Sequence, residues 1–148
     1  MDRFIRIGKV SSIDYANGMV NVTYPDLDNS VTDDLPFLTF NQEYEMPCIN
    51  DDVLVVHLSN GQAAGICLGT YWNAQNPPHG SGKGYYRKDF NAEVTGESYL
   101  EGNSGAMNFH AKGLNVSLDG SLSVDADSVT FTDSSGSITL AEIIHHIK

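Results

Sequence analysis

Cysteine, long apolar runs and leader segments are scarce or missing in this chain of 148 residues. Only Cys48 and Cys67 occur, and neither lies in a spacing that holds a metal ion. Both lie in apolar patterns typical of strands, so we expect buried free thiols rather than a disulfide. No apolar run reaches the ~18 residues of a transmembrane helix. Residues 1–10 lack the apolar core of a signal peptide, so neither a membrane span nor a leader is expected.

Basic residues are also few. The chain has 8 Lys and Arg against 19 Asp and Glu, which gives a formal net charge of −11. This charge argues against docking onto nucleic acid or an anionic membrane surface. Apolar residues make up 41% of the chain, which is enough for a packed core.

Catalytic motifs are missing as well. The chain contains no nucleophile elbow, no zinc-protease motif and no phosphate loop. His57 lies among apolar strand residues and is predicted to be a packed or surface histidine, and His110 has no nucleophile motif near it. The glycine-rich residues 80–84 do not lie between a strand and a helix, so they are predicted to be linker. We therefore expect no enzyme activity and no cofactor.

What the N-terminal half does contain is a series of alternating segments. Residues 4–13 and 19–24 predict two strands joined by a turn at 15–18, because Asn-Gly is a strong hairpin signal. An acidic loop at 25–34 is predicted to be solvated. An edge strand is predicted to start in 35–40, followed by a turn at 50–52 and a central strand at 53–58. A turn at 59–61 then leads to a return strand at 62–70, whose glycines allow a bulge or close packing. Five short strands without helices predict an antiparallel barrel, such as an OB-fold, over residues 1–78.

Composition changes after this region. All five prolines, both cysteines and the only tryptophan lie at or before Pro78. Residues 76–84 (NPPHGSGKG) are typical of a linker, and the linker is placed at 79–91. Residues 92–148 are predicted to form a second region, which begins with two short alternating segments in 92–111.

The most regular pattern lies between Leu114 and Leu140. Apolar residues alternate with Ser, Asn and Asp, and turn residues interrupt the alternation. Leu114 and Leu122 are eight residues apart, and the phase slips by one before Val129. A short strand repeat of this kind favours a β-solenoid or β-helix.

This second region has too few residues to bury its apolar row alone. It has fewer than sixty residues and no helix long enough to cover a sheet. Three copies wound around one axis would bury the row and pair every strand edge. We therefore predict an intertwined trimeric β-helix whose axial core is Leu114, Val116, Leu118, Leu122, Val124, Val129, Phe131, Ile138 and Leu140.

The C-terminal residues predict a short helix. Thr139 and Glu142 are spaced as a capping box, and residues 140–148 supply one or two helical turns. His145 and His146 follow each other, so at most one of them per chain could face a threefold axis. Three such histidines could bind a metal ion, although an exposed polar end is the favoured interpretation.

These parts together resemble the phage baseplate assembly protein V family, which is itself similar to the core of VgrG proteins. The resemblance spans most of the chain and lies in residues 47–55 (PCINDDVLV), 59–61 (SNG), 65–69 (GICLG), 73–78 (NAQNPP) and 136–140 (GSITL).

The resemblance implies a homotrimeric central spike of a contractile tail. The OB-fold would attach to the tail hub protein, and the β-helix would meet the target cell envelope. The protein would be assembled in the host cytoplasm and reside in the tail baseplate. Longer family members bind an axial iron ion through a His-any-His pair, which this chain lacks. A self-made tip and a separate PAAR-like tip protein both remain open.

An aromatic-basic cluster follows the glycine-rich residues and consists of Tyr85, Tyr86, Arg87 and Lys88. It is predicted either to contact the hub or a neighbouring subunit, or to pack the linker onto the barrel. The main functional alternative is an OB-fold module that binds oligosaccharides. A cell-wall hydrolase is disfavoured, because no carboxylate pair is placed for glycoside cleavage.

Overall fold

The computed structural model describes residues 4–58, 64–90, 93–94 and 96–147 and has two compact units, Met1–Gly113 and Leu114–Lys148. Its described elements are strands and one short helix, so the chain is an all-β protein. The predicted hairpin turn at 59–61 and the first residues of the return strand, 62–63, lie outside the described residues.

The first sheet contains six strands in the first unit. Strand β1 is its centre and pairs antiparallel with β2 on one side and β5 on the other. The strands are β1 (Ile5–Asp14), β2 (Met19–Tyr24), β3 (Ser30–Val31), β4 (Leu35–Pro36), β5 (Asp52–His57) and β6 (Gly65–Thr70), with β3 and β4 on β2 and β6 on β5.

A single parallel bridge joins the two ends of this sheet. Phe37, just after β4, pairs with Cys67 on β6. The Leu38 amide N–H donates to the Cys67 carbonyl oxygen over 2.8 Å. The sheet therefore curves until its far strands meet, and its core lies inside the curve.

The turn between β1 and β2 has the geometry that its sequence predicts. One oxygen of the Asp14 carboxylate accepts from the Ala16 N–H at 3.0 Å and from the Asn17 N–H at 3.2 Å. Gly18 has φ +66°, a conformation that glycine adopts without steric cost. The predicted hairpin is confirmed by the ladder that pairs Asp14 with Met19.

The inward-facing side chains of the first sheet form the core. On β2 and β5 every second side chain is buried, as the period-two pattern predicts. The predicted bulge is confirmed, because Leu54 pairs with Gly69 and Val55 with Cys67. The buried apolar residues are Val10, Val20, Val22, Tyr24, Leu35, Val53, Val55 and Cys67.

Both cysteines are free, which confirms that neither forms a disulfide, but only Cys67 is buried as predicted. Cys67 is buried on β6, and burial raises the pKa of its thiol. Cys48 is only half-buried and lies in the loop before β5, not in a strand. The strand placement of Cys48 was wrong because Pro47 and the turn at 50–52 hold the chain out of the ladder.

A second sheet follows within the same unit. Its strands are β7 (Tyr86–Asp89), β8 (Tyr99–Asn103) and β9 (Ala106–His110), in an antiparallel meander. Ser104 and Gly105 both have positive φ, which is the signature of a type I′ hairpin turn. Strands β8 and β9 fall in the two alternating segments predicted for 92–111. Strand β7 lies inside the range 79–91 that the sequence assigns to a linker.

The second unit is mostly extended chain. Residues 114–129, all of which the structure describes, form no strand within the single chain. A hairpin follows, with β10 (Thr130–Asp133) paired to β11 (Gly136–Thr139), and the helix α1 (Leu140–Ile147) ends the unit. Strands predicted at 114–118 and 122–126 thus have no pairing partner among the described residues of their chain.

The predicted capping box starts helix α1. The Thr139 amide N–H donates to Glu142 Oε2 at 2.7 Å, and the Glu142 N–H donates to Thr139 Oγ1 at 3.3 Å. This reciprocal pair satisfies two amides that a helix start leaves open. The capping prediction is confirmed. Within the described part of the chain, no helix has the length and apolarity to span a membrane.

The close approach of β1 to β2 at Gly8 gives a stability prediction. A Cβ atom at Gly8 would meet Val22 Cγ1 and lie 2.7 Å from the Thr23 carbonyl oxygen. We expect Gly8→Ala to lower the free energy of unfolding by about 1–3 kcal/mol through overpacking. Urea denaturation measures the loss. Gly113→Ala is the control, because no atom lies within 4 Å of its added Cβ. Equal stabilities of the two variants would contradict the prediction.

Candidate functional site

The histidine of the first sheet serves packing. His57 on β5 is 5% exposed, and its Nε2 lies 2.7 Å from the Tyr24 hydroxyl on β2. The two rings meet edge to face. Burial raises the pKa of Tyr24 to about 12, so its hydroxyl stays protonated at neutral pH. His57 is therefore a packed histidine, one of the two placements that its sequence predicts.

The cluster at 85–88 is built around Arg87. Its Nε and one terminal nitrogen donate to the two oxygens of Asp89, both at 2.8 Å. Its guanidinium carbon lies 3.9 Å from the centre of the Tyr99 ring. Glu101 lies 3.5 Å from the other terminal nitrogen and accepts from the Tyr85 hydroxyl at 3.0 Å. Arg87 thus has carboxylate and aromatic partners on its own sheet.

These contacts determine the charges of the cluster. The bidentate bond from Arg87 holds the pKa of Asp89 below its usual range, and the same bond raises the pKa of the Arg87 guanidinium. The Gly96 N–H adds a third hydrogen bond to Asp89 at 3.1 Å. Tyr99 also stacks on His110, with ring centres 5.0 Å apart. The whole arrangement is a structural clamp on one face of the meander.

Lys88 points to the other face and contacts the loop before β5. Its ammonium group forms ion pairs with Glu43 and, at 3.5 Å, with Glu45. These ion pairs fit packing of the predicted linker region onto the loop before β5, whereas the ion pairs of Arg87 stay within its own sheet. Tyr86 differs, because 52% of its surface is exposed. Of the four predicted contact residues, Tyr86 is the one that offers most surface to another chain.

The predicted axial row is the largest exposed apolar feature of the second unit. Leu122 is 72% exposed although leucine is usually buried. Phe131 and Ile138 pair directly across the hairpin and therefore lie on one face. Val129 is half-buried. The other eight predicted core residues are exposed in the single chain: Leu114, Val116, Leu118, Leu122, Val124, Phe131, Ile138 and Leu140.

Three apolar surfaces escaped the sequence interpretation. On the outside of the first sheet, Ile5 and Ile7 are exposed on β1 beside Val56 and Leu54 of β5. On the meander, Phe90, Met107 and Phe109 are exposed. On α1, Ile144 and Ile147 are exposed. The spacing of these apolar residues follows the period of their strand or helix and is visible in the sequence. The sequence does not show whether another element covers that face.

The two terminal histidines lie in the last turn of α1. Both side chains are exposed, and their ring centres are 6.3 Å apart. Within the described ranges, no three His, Cys, Asp or Glu side chains form a group that could hold a metal ion. The single chain thus supplies no complete metal site in its described part. A shared site would need ligands from several copies.

The second unit combines extended chain that forms no strand at 114–129 with exposed leucine and valine side chains. Large exposed apolar patches are uncommon on monomeric soluble proteins. No protein-family model matches the chain, and no curated protein matches it either.

The Arg87 clamp gives a pH prediction. Because the pKa of Asp89 is lowered in the fold, its contribution to stability is full above its unfolded pKa of about 3.9. The contribution is lost as the pH falls through the lowered folded pKa. We expect Asp89→Asn to increase amide exchange of β8 severalfold at pH 7, because the ionised carboxylate is absent.

At pH values below the folded pKa of Asp89, wild type and Asp89→Asn should have similar stability, since both side chains are then neutral. Urea denaturation at acid pH measures the stability of both proteins. Asp33→Asn, in the exposed loop between β3 and β4, is the control for loss of one negative charge. A constant difference between wild type and Asp89→Asn across pH 2 to pH 7, roughly the range in which carboxylates titrate, would contradict the clamp.

Proposed function

We propose that this chain is the central spike of a contractile-tail baseplate. It acts as a homotrimer, with an OB-fold in the N-terminal region and an intertwined β-helix that starts after the β7–β9 meander. The barrel attaches to the tail hub protein, and the β-helix pierces the target cell envelope. The role is mechanical rather than enzymatic.

The observation that carries this proposal is the state of residues 114–129. They alternate in sequence, expose their apolar side chains and form no strand in the single chain. Backbone amides and carbonyls in a dry interior need partners, and two further copies supply them. A trimer also removes the apolar row from water, which contributes roughly 25 cal/mol per Å² of buried apolar surface.

The first sheet supports the OB-fold part of the proposal. Its antiparallel pairs and the parallel bridge between Phe37 and Cys67 are the connections expected of a small, partly open Greek-key barrel. OB-folds present their strands and loops to partners, and here the exposed face around Ile5 and Ile7 is apolar. Such a surface suits a protein partner such as the hub.

The mechanism follows from stiffness. Sheath contraction would push the rod into the envelope, and a rod transmits force when its strands are cross-linked by hydrogen bonds between copies. Outward Ser, Asn and Asp side chains keep the rod surface polar and acidic. The spike would reside in the tail baseplate after assembly in the host cytoplasm. A PAAR-like protein is one candidate for its outermost tip.

The trimer and its strand phase can be tested together. We expect the purified protein to be a trimer by multi-angle light scattering. Val124→Asp places three charges on the axis, so it should prevent assembly. Ser123→Asp puts the same side chain on the opposite, outward face and should leave the trimer intact.

The outcomes separate the parts of this proposal. A wild-type monomer would contradict the spike. Trimers of both variants would show that the strand phase is wrong, because the axial and outward positions would then be interchangeable. Loss of the trimer in both variants would also contradict the alternation.

A further inference from the structure

Helix α1 carries an apolar stripe that its own chain leaves open. Leu140, Ile143, Ile144 and Ile147 recur at the spacing of one helical face. None of the eight helical residues is buried, and Ile147 is 79% exposed. A stripe of four branched side chains on two helical turns is the pattern of a helix that packs against other helices.

Hydrogen bonds fix the residue at which this short helix begins. The Leu140 N–H donates to the Val129 carbonyl oxygen at 2.9 Å, and the Thr139–Glu142 capping box closes the first turn. Eight residues span about 12 Å, and helices of this length are marginal in water without tertiary contacts. The apolar stripe therefore needs a partner for the helix to persist.

The charge of α1 permits identical copies as that partner. The whole chain carries −11, which opposes self-association over most of its surface. On α1 the only acidic residue is Glu142, whose carboxylate is engaged in the cap, and the last turn holds His145 and His146. The helix is thus close to neutral, so identical helices can approach each other without strong repulsion.

Continuity with the axial row favours the same partner. Leu140 is the last residue of the predicted core and the first residue of the helical stripe. A threefold axis that passes beside Phe131, Ile138 and Leu140 would meet the stripe next. Helices related by a threefold axis run parallel, as in a three-stranded coiled coil.

We propose that the three α1 helices of the trimer pack around the axis as a parallel three-helix cap that closes the apolar interior of the rod. This inference rests on the proposed spike function and identifies the surface through which the three helices meet. At about 100° per residue, a stripe centred between Leu140 and Ile147 turns His145 about 150° and His146 about 110° from the axis. Neither histidine then reaches an axial metal ion.

Cross-linking tests the cap directly. In a Cys48→Ser background, Ile147→Cys places a thiol near the axis of each copy, and His145→Cys places one on the outward face. A short bis-maleimide reagent should link Ile147→Cys chains into covalent dimers on a denaturing gel, whereas His145→Cys chains should stay largely monomeric. Light scattering of each variant reports the oligomer before the reagent is added.

The two measurements distinguish failure of the proposed cap from failure of the proposed spike function. If the wild type is a monomer, the proposed function fails and the cap fails with it. If the variants are trimers but Ile147→Cys does not cross-link, or His145→Cys cross-links equally well, the cap alone is overturned.

A second pair of variants tests the packing without a reagent. Ile144→Lys should lower the melting temperature of the trimer by several degrees, and His145→Lys should change it little, because only the first puts a charge into the apolar stripe. Equal melting temperatures for these two variants would overturn the cap.

Discussion

A strand is stable only when neighbours take its backbone hydrogen bonds, and this requirement accounts for the contrast between the two units. In the first unit β1 is paired on both sides, and a bridge from Phe37 to Cys67 joins the outer strands. In the second unit residues 114–129 have the side-chain pattern of strands without a ladder. The same backbone chemistry therefore gives a paired sheet in one unit and, at residues 114–129, extended chain without a ladder in the other.

Electrostatics adds a second constraint. The chain is strongly acidic, yet the basic residues of the 85–88 region are used internally: Arg87 clamps Asp89 and Glu101, and Lys88 pairs with Glu43 and Glu45. Among the described residues, Arg6, Lys9 and Lys112 are ion-paired as well. In the proposed spike, recognition would therefore depend mainly on apolar faces and backbone pairing, and the net negative surface would favour solubility.

Local chemistry made much of the fold predictable. The turn at 15–18, the alternation of β2 and β5 and the capping box each depend on residues within a few positions of one another, and each was confirmed. Strand β7 was not predicted, because its sequence YRKD has no apolar alternation and its stability comes from cross-strand partners.

The candidate site was less predictable for the same reason. The 85–88 cluster was visible in the sequence, but its partners Glu43 and Glu101 are distant along the chain. The row at 114–140 was also visible. The alternation of this row does not specify a pairing partner, because any strand edge offers the same amides and carbonyls.

The capping box has a consequence for the growth of the assembly. A strand repeat has no intrinsic end, and an open last rung could add further chains and polymerise. At Thr139 the chain changes from strand to helix. Backbone amides further along α1 donate hydrogen bonds within the helix instead of to a neighbouring strand. In the proposed rod, Thr139 and Glu142 would therefore act as a terminator and keep the repeating structure to a finite length.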